Sequence, residues 1–177
     1  MAWRSIEATA FLFILLAPDV SAQRVAGNVL TGVRTFSDGT GMFVIEVRGD
    51  IQPKGWPVRP AVGFASASDL FWTQTEFTVG ARAEGRAWAR FVYSGGVGLS
   101  WMSQDGGALA SGSSVGPYLN AAVQYALNEK LRVGLDVRIL TGSSFVRADG
   151  LVQDLNFSQY GMVMTWRTGV LGAARSQ

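Results

Sequence analysis

Arginines and carboxylates are the side chains of this 177-residue chain whose spacing could do chemistry, and they alternate with apolar residues. Between Tyr118 and Leu140, for example, Arg132, Asp136 and Arg138 fall on one face of an extended chain and Leu135 falls on the other. A period of two is typical of β-strands, so charges with this spacing share one side of a sheet. Eight of them are predicted to line a narrow interior: Arg34, Glu46, Arg48, Glu76, Arg82, Arg90, Asp136 and Arg138. Enclosed charges persist only when paired and hydrogen bonded, which predicts a structural ion-pair plug; a narrow, arginine-lined pore that favours anions is the alternative.

The chain contains no histidine and no cysteine. This composition removes the usual general base, the commonest transition-metal ligand and every Ser-His or Cys-His nucleophile pair. We therefore expect neither an enzyme nor a bound cofactor or metal. The formal net charge is only +2 and the arginines are scattered singly, which argues against nucleic-acid binding.

The first residues have the pattern of an export signal. Arg4 precedes an apolar run from Ala8 to Ala17, Pro18 follows, and small residues lead up to Ala22. This pattern predicts cleavage between Ala22 and Gln23. The expected organisation is a signal peptide at 1–22, a barrel domain at 23–167 and a short periplasmic tail at 168–177.

The remaining chain is predicted to be all-β, with about eight strands separated by Gly, Ser, Asp, Asn and Pro. Several strands have ten or more residues, long enough to cross a bilayer at a tilt. The predicted strands are Arg24 to Phe36, Met42 to Asp50, Val58 to Ser66, Trp72 to Ala83, Arg86 to Met102, Val115 to Leu127, Leu131 to Leu140 and Ser158 to Arg167.

The two faces of these strands differ in size as well as in charge. Large aliphatic and aromatic residues share one face, and the glycines that share the charged face are Gly32, Gly80, Gly96, Gly98, Gly134 and Gly161. Two closed barrels fit this pattern: a soluble exported lipocalin-like carrier with its apolar face inward, or a membrane barrel with that face toward lipid. Strand length, the export signal and interior glycines favour the membrane barrel. Four aromatic residues near strand ends are expected at the lipid headgroup level: Trp101, Tyr125, Tyr160 and Trp166.

An even number of strands places both chain ends on the periplasmic side. Short breaks at Glu84-Gly85 and Asn128-Glu129-Lys130 then fall on that side, while the longer segments Ser103 to Ser114 and Thr141 to Phe157 fall outside. This asymmetry is typical of outer-membrane barrels.

The stretches RFVYSGGVGLSW and GPYLNAAVQYALNEKLRVGLDVRIL resemble the small outer-membrane β-barrel family that includes the OmpA membrane domain and OmpX. The stretch QYGMVMTW resembles the β-signal that the barrel-assembly machinery reads, with Gln159, Gly161, Met164 and Trp166 in the matching places. It departs from the usual form because RTGVLGAARSQ follows Trp166.

The resemblance implies a porin-like, integral barrel of the cell envelope in the outer membrane of a Gram-negative cell. Its expected partners are outer-membrane lipid and lipopolysaccharide, with the assembly machinery during biogenesis, and it is expected to be a monomer. The lipid A deacylases and palmitoyltransferases that use such barrels rely on histidine, which this chain lacks. The expected role is structural and non-enzymatic.

Overall fold

A computed structural model describes residues 24–53, 55–70, 72–88, 90–105, 111–147 and 149–168. The predicted signal peptide, its cleavage site at Ala22 and Gln23, and residues 169–177 of the predicted tail lie outside the described residues. Among the described residues, no helix is long and apolar enough to cross a membrane.

Ten strands form among the described residues, and eight of them close into one antiparallel barrel. The barrel strands are β1 (Arg24–Phe36), β2 (Gly41–Gln52), β3 (Val58–Ser68), β4 (Thr73–Arg86), β5 (Phe91–Asp105), β6 (Gly112–Ala126), β7 (Leu131–Leu140) and β10 (Phe157–Arg167). Their order around the wall is β1-β10-β7-β6-β5-β4-β3-β2. The predicted all-β barrel of about eight strands is confirmed, because β1 pairs with β10 and leaves no free edge.

The strand alternation sorts side chains to the two faces of the barrel wall. Large apolar residues are exposed on the outer wall, whereas arginines, carboxylates and amides at the intervening positions are buried in the interior. Leu135, for example, is 65% exposed between Gly134 and the buried Asp136. Of the two closed barrels that the sequence allowed, the structure has the one whose apolar face looks outward, as in transmembrane barrels.

We call the end where β1 begins and β10 finishes the terminal mouth, and the opposite end the loop mouth. Tight turns close the wall at both ends. In the β1–β2 turn at the loop mouth, Gly39 adopts a φ of 85°. Asp38 accepts hydrogen bonds there from the Thr40 hydroxyl (2.6 Å) and the Thr40 amide (2.9 Å), which lower the pKa of its carboxyl.

The predicted break at Glu84-Gly85 is wrong. β4 continues to Arg86, with Glu84 opposite Ser94 and Gly85 opposite Tyr93. The Tyr93 ring lies across Gly85, in the space that a side chain would fill. This glycine therefore admits an aromatic neighbour instead of ending the strand, and the turn begins only after Arg86.

The sequence also gave no sign of a small hairpin inside the longest loop. β8 (Ser144–Val146) and β9 (Val152–Asp154) pair with each other in the β7–β10 connection. The hairpin buries Phe145 and exposes Val146 and Val152 on its other face. The loop is consequently folded down on one side, over the loop mouth.

Gly134 is expected to be essential for close approach of β7 to β6. A Cβ at Gly134 would overlap the Val123 carbonyl oxygen and lie 2.6 Å from the Gln124 Cα. We expect Gly134→Ala to lower the free energy of unfolding by about 1–3 kcal/mol, because the wall must shift to admit the methyl group. Urea unfolding in detergent micelles, followed by tryptophan fluorescence, measures this. Gly49→Ala in β2 is the control, since a Cβ there has no atom within 4 Å, and equal loss in both variants would contradict the steric explanation.

Candidate functional site

The interior is the candidate functional site, and it has three layers. An apolar cluster fills the loop mouth, a network of ion pairs fills the middle, and a second group of charges lies at the terminal mouth. Each layer is built from the inward-facing positions of several strands, so none of them exists before the barrel closes.

The central network is organised around Glu46 of β2 and Glu76 of β4, which are both buried. Glu76 accepts hydrogen bonds from Arg138 Nη1 (2.8 Å), from the Ser100 hydroxyl (2.6 Å) and from Arg34. Glu46 accepts from Arg48 Nη2 (2.8 Å) and also pairs with Arg138. Arg138 thereby bridges the two carboxylates from the opposite side of the wall.

Two glutamines extend this network. Gln159 of β10 donates from Nε2 to Glu46 Oε2 (2.9 Å), while its Oε1 accepts from Arg34 Nη2 (2.7 Å). Gln74 accepts a further hydrogen bond from Arg34. The Arg34 guanidinium also stacks 3.9 Å from the centre of the Phe157 ring. Each charge in this part of the interior thus has partners on two or more strands, as a desolvated charge requires.

The pairing is looser around Asp136. Its Oδ2 lies 3.4 Å from Arg48 Nη1, 3.4 Å from Asn120 Nδ2 and 3.7 Å from Arg82 Nη2. Its Oδ1 is buried and has no hydrogen-bond partner in the described structure. Arg82 donates instead to the Ser94 hydroxyl at 2.6 Å.

Glu84 organises the charges at the terminal mouth. Three arginines from three strands converge on its carboxylate: Arg59 Nη1 at 2.9 Å, Arg132 Nη1 at 2.9 Å and Arg167 Nη2 at 2.5 Å. Asp50 lies beside them, 3.5 Å from Arg59 Nη1. These groups are slightly more exposed than the central network, with 15% of the Glu84 side chain accessible to solvent.

The loop mouth is apolar. Phe36 and Phe157 meet edge to face there with 6.1 Å between ring centres, and Phe145 and Leu155 of the β7–β10 connection pack on the same cluster. Its other members include Met42, Val44, Met102 and Leu140, and the partly buried Trp72 packs against it. The expectation of a polar interior is therefore wrong at this end, because the inner wall packs against loop side chains and excludes water.

Seven of the eight predicted interior charges lie where the sequence placed them: Arg34, Glu46, Arg48, Glu76, Arg82, Asp136 and Arg138. The prediction for Arg90 is wrong. Because β5 begins only at Phe91, Arg90 lies in the β4–β5 turn, where it is exposed and donates to the Tyr125 hydroxyl (3.1 Å). An extended chain through this turn would have pointed Arg90 inward, so the error follows from the misplaced strand boundary.

Several residues that lie in the interior were not predicted from the sequence. Asp50, Gln74, Glu84 and Arg167 have the parity of the charged face, but they lie near strand ends or in strands whose bounds were set too short. The alternation of side chains along each strand, applied with the correct strand bounds, would have identified these residues. Gln159, predicted as part of the β-signal, turns out to be fully buried in the central network, and Gly161 shares its inward face.

The four aromatic residues predicted for the lipid headgroup level lie on the barrel strands as follows. Trp101, Tyr160 and Trp166 are exposed on the outer wall, and Met164 of the predicted β-signal is exposed beside Trp166. Tyr125 is half-buried against Phe91, with ring centres 5.3 Å apart. Aromatic residues near strand ends are typical of the girdles of transmembrane barrels.

The described residues offer little for covalent or metal chemistry. No group of three or more His, Cys, Asp or Glu side chains among them could hold a metal ion. A cleft of about 380 Å³ lies at the loop end between β1, β10 and β7, and Tyr160 is the only ionisable residue in its lining. The ion-pair interior therefore remains the constellation with the clearest physical role.

No family model matches the chain, and no curated protein matches it significantly. Solved structures do match its fold. Neisserial surface protein A aligns with a TM-score of 0.60 at 13% identity, covering 81% of this chain and 96% of that one. Ail, the attachment invasion locus protein of Yersinia pestis, aligns at 0.54 and 9% identity, covering 84% and 99%.

A third match is the outer-membrane enzyme PagL, with a TM-score of 0.52 and 14% identity, covering 78% of this chain and 98% of that one. The predicted resemblance to small outer-membrane barrels is thus confirmed at the level of the fold. Since one of these barrels is an enzyme, the fold leaves the activity open.

Glu76 is expected to be the most sensitive carboxylate of the central network. Glu76→Gln keeps the shape but leaves Arg34 and Arg138 with an uncompensated buried charge, so we expect the free energy of unfolding to fall by about 3–5 kcal/mol. The measurement is urea unfolding in micelles. The control is Asp149→Asn, which weakens the partly exposed Arg147–Asp149 pair (3.0 Å) and should change stability by less than about 0.5 kcal/mol. Similar values for both variants would contradict a structural role for the network.

Proposed function

We propose that this chain is an integral outer-membrane β-barrel protein without enzymatic activity, with a closed interior and a structural role in the cell envelope. The observation that carries the proposal is the filled interior. The ion-pair network occupies the middle, and the apolar cluster with Phe145 and Leu155 seals the loop mouth.

The outer wall supports the membrane location. Exposed valines, leucines and aromatics cover it. If the chain were a soluble, lipocalin-like carrier, this apolar surface would be in contact with water. A carrier also needs an apolar cavity, whereas the described interior is occupied by charged groups and their partners. We therefore favour outer-membrane lipid and lipopolysaccharide as the surroundings of a monomeric barrel.

The C-terminal strand supports assembly by the barrel-assembly machinery. Met164 and Trp166 present an apolar outward face, and β10 closes the wall by pairing with β1. The proposal of a non-enzymatic role rests on the missing histidine, since histidine is the commonest general base and the usual partner of an activated serine.

A narrow anion-favouring pore is the second candidate function. Among the described residues, seven arginines and five carboxylates are buried or nearly buried in the interior, an excess of positive charge that would favour anions. The closely packed interior argues against conduction, because an eight-stranded barrel has just enough room for its own side chains.

Planar-bilayer recording distinguishes these two functions. We expect the purified protein to produce no current steps, because no water column crosses the ion pairs and the apolar cluster. Steady, anion-selective steps would contradict the closed barrel and support the pore. In that case Arg82→Gln should reduce the anion preference, whereas Arg90→Ala should leave it unchanged, because Arg90 lies outside the interior.

A pair of arginine substitutions tests the membrane orientation. Leu135 is 65% exposed in the middle of β7, and Val146 is 68% exposed on the loop hairpin. We expect Leu135→Arg to destabilise the membrane-inserted barrel by about 2–4 kcal/mol, because the charge would enter hydrocarbon. Val146→Arg should have little effect. Folding titrations into lipid vesicles measure the difference, and equal tolerance of both changes would indicate a water-exposed wall.

A further inference from the structure

We infer that the terminal mouth contains an oxyanion-binding site, formed by Arg59, Arg132 and Arg167, which Glu84 occupies in the ligand-free protein. The ligand class is a phosphate or carboxylate group that enters from the terminal mouth and displaces the Glu84 side chain. This site is separate from the central network and goes beyond the structural function proposed above.

The convergence of three guanidinium groups on one carboxylate is the first observation. Their nitrogens lie 2.5–2.9 Å from Glu84 oxygens and come from β3, β7 and β10, so the barrel wall holds them around a common point. One carboxylate balances one of three positive charges. Asp50 offers partial compensation, at 3.5 Å from Arg59 and shared with Asn28 Nδ2 at 3.3 Å.

Unused hydrogen-bond donors are the second observation. Arg167 Nε is buried and has no hydrogen-bond partner in the described structure. Arg132 Nη1 lies 2.9 Å from Glu84 Oε1 and has no second acceptor in the described structure. The two oxygens of a carboxylate leave such donors unsatisfied, whereas a phosphate offers more acceptor oxygens and more charge.

The position of Glu84 makes exchange physically accessible. It lies two residues before the end of β4, and 15% of its side chain is accessible at the terminal mouth. Rotation about its side-chain bonds would bring the carboxylate into water, so it does not have to become desolvated elsewhere. By contrast, Glu46 and Glu76 lie in the middle of the barrel and have no comparable exit.

The test removes the charge of the Glu84 carboxylate and supplies an anion from solution. Glu84→Gln removes the charge but keeps the size of the side chain, and the purified full chain is compared in micelles with sodium phosphate, sodium acetate or sodium chloride at equal ionic strength. We expect phosphate at ten times its Kd to raise the Tm of Glu84→Gln by about 3–6 °C over chloride. Acetate should have a smaller effect, and the unsubstituted protein should bind phosphate at least tenfold more weakly by titration calorimetry.

Two matched variants make the result specific. Glu76→Gln also leaves arginines uncompensated, but in the middle of the barrel, and phosphate should not raise its Tm above the chloride value. Arg132→Gln in the Glu84→Gln background should abolish phosphate binding. Equal Tm values in phosphate and chloride for Glu84→Gln, or equal gains for Glu76→Gln, would overturn the proposal.

If Glu84→Gln does not fold in chloride, the folding yield replaces the Tm as the readout. Recovery of the heat-modifiable, folded band in phosphate then supports the site. The same failure to fold in phosphate and in chloride contradicts it.

Discussion

Pairing of desolvated charge inside a closed wall is the constraint on which the rest of this structure depends. Arg138 bridges Glu46 and Glu76, and Arg34 joins Glu76 to Gln159, so one group of contacts connects β1, β2, β4, β7 and β10. A one-residue slip of any of these strands would turn its charged residues toward the outer wall. The network therefore specifies register as well as filling space. The net stability that such pairs add depends on the cost of desolvating their charges. Removing one partner, however, leaves the other charge buried without compensation.

The backbone explains why glycine accompanies these charges. Large guanidinium groups and the Tyr118 ring can share a narrow interior only where neighbouring positions have no side chain. The Tyr118 ring lies close to Gly80 and Gly98, where a Cβ would collide with it. On the outer wall, the Tyr93 ring likewise fills the space that a side chain at Gly85 would occupy. On both faces of the wall, glycines therefore leave the space that neighbouring aromatic rings fill.

The two mouths of the barrel differ in physical character, and this asymmetry matters for function. The loop mouth is closed by an apolar cluster that includes Phe145 and Leu155, so water is excluded there. The terminal mouth ends in partly exposed charges around Glu84. An interior closed at one end and ionic at the other suits a structural barrel with a binding site at its ionic end better than a through-channel. Proteins with this fold include an enzyme, so the function must be argued from such groups and not from the fold.

Much of this architecture follows from the sequence alone, because strand alternation is a local property. The period of two in β7 assigned Arg132, Asp136 and Arg138 to one face. Long strands with large apolar residues on the opposite face predicted a membrane barrel. Only the tertiary structure decided which charges meet, since Arg34 and Glu76 are 42 residues apart and the distance between them depends on barrel closure and stagger. It also corrected Arg90, whose position depended on a ladder that continues past Gly85, and it revealed the apolar loop mouth, because loop side chains fold back onto the wall without any periodic signal in the sequence.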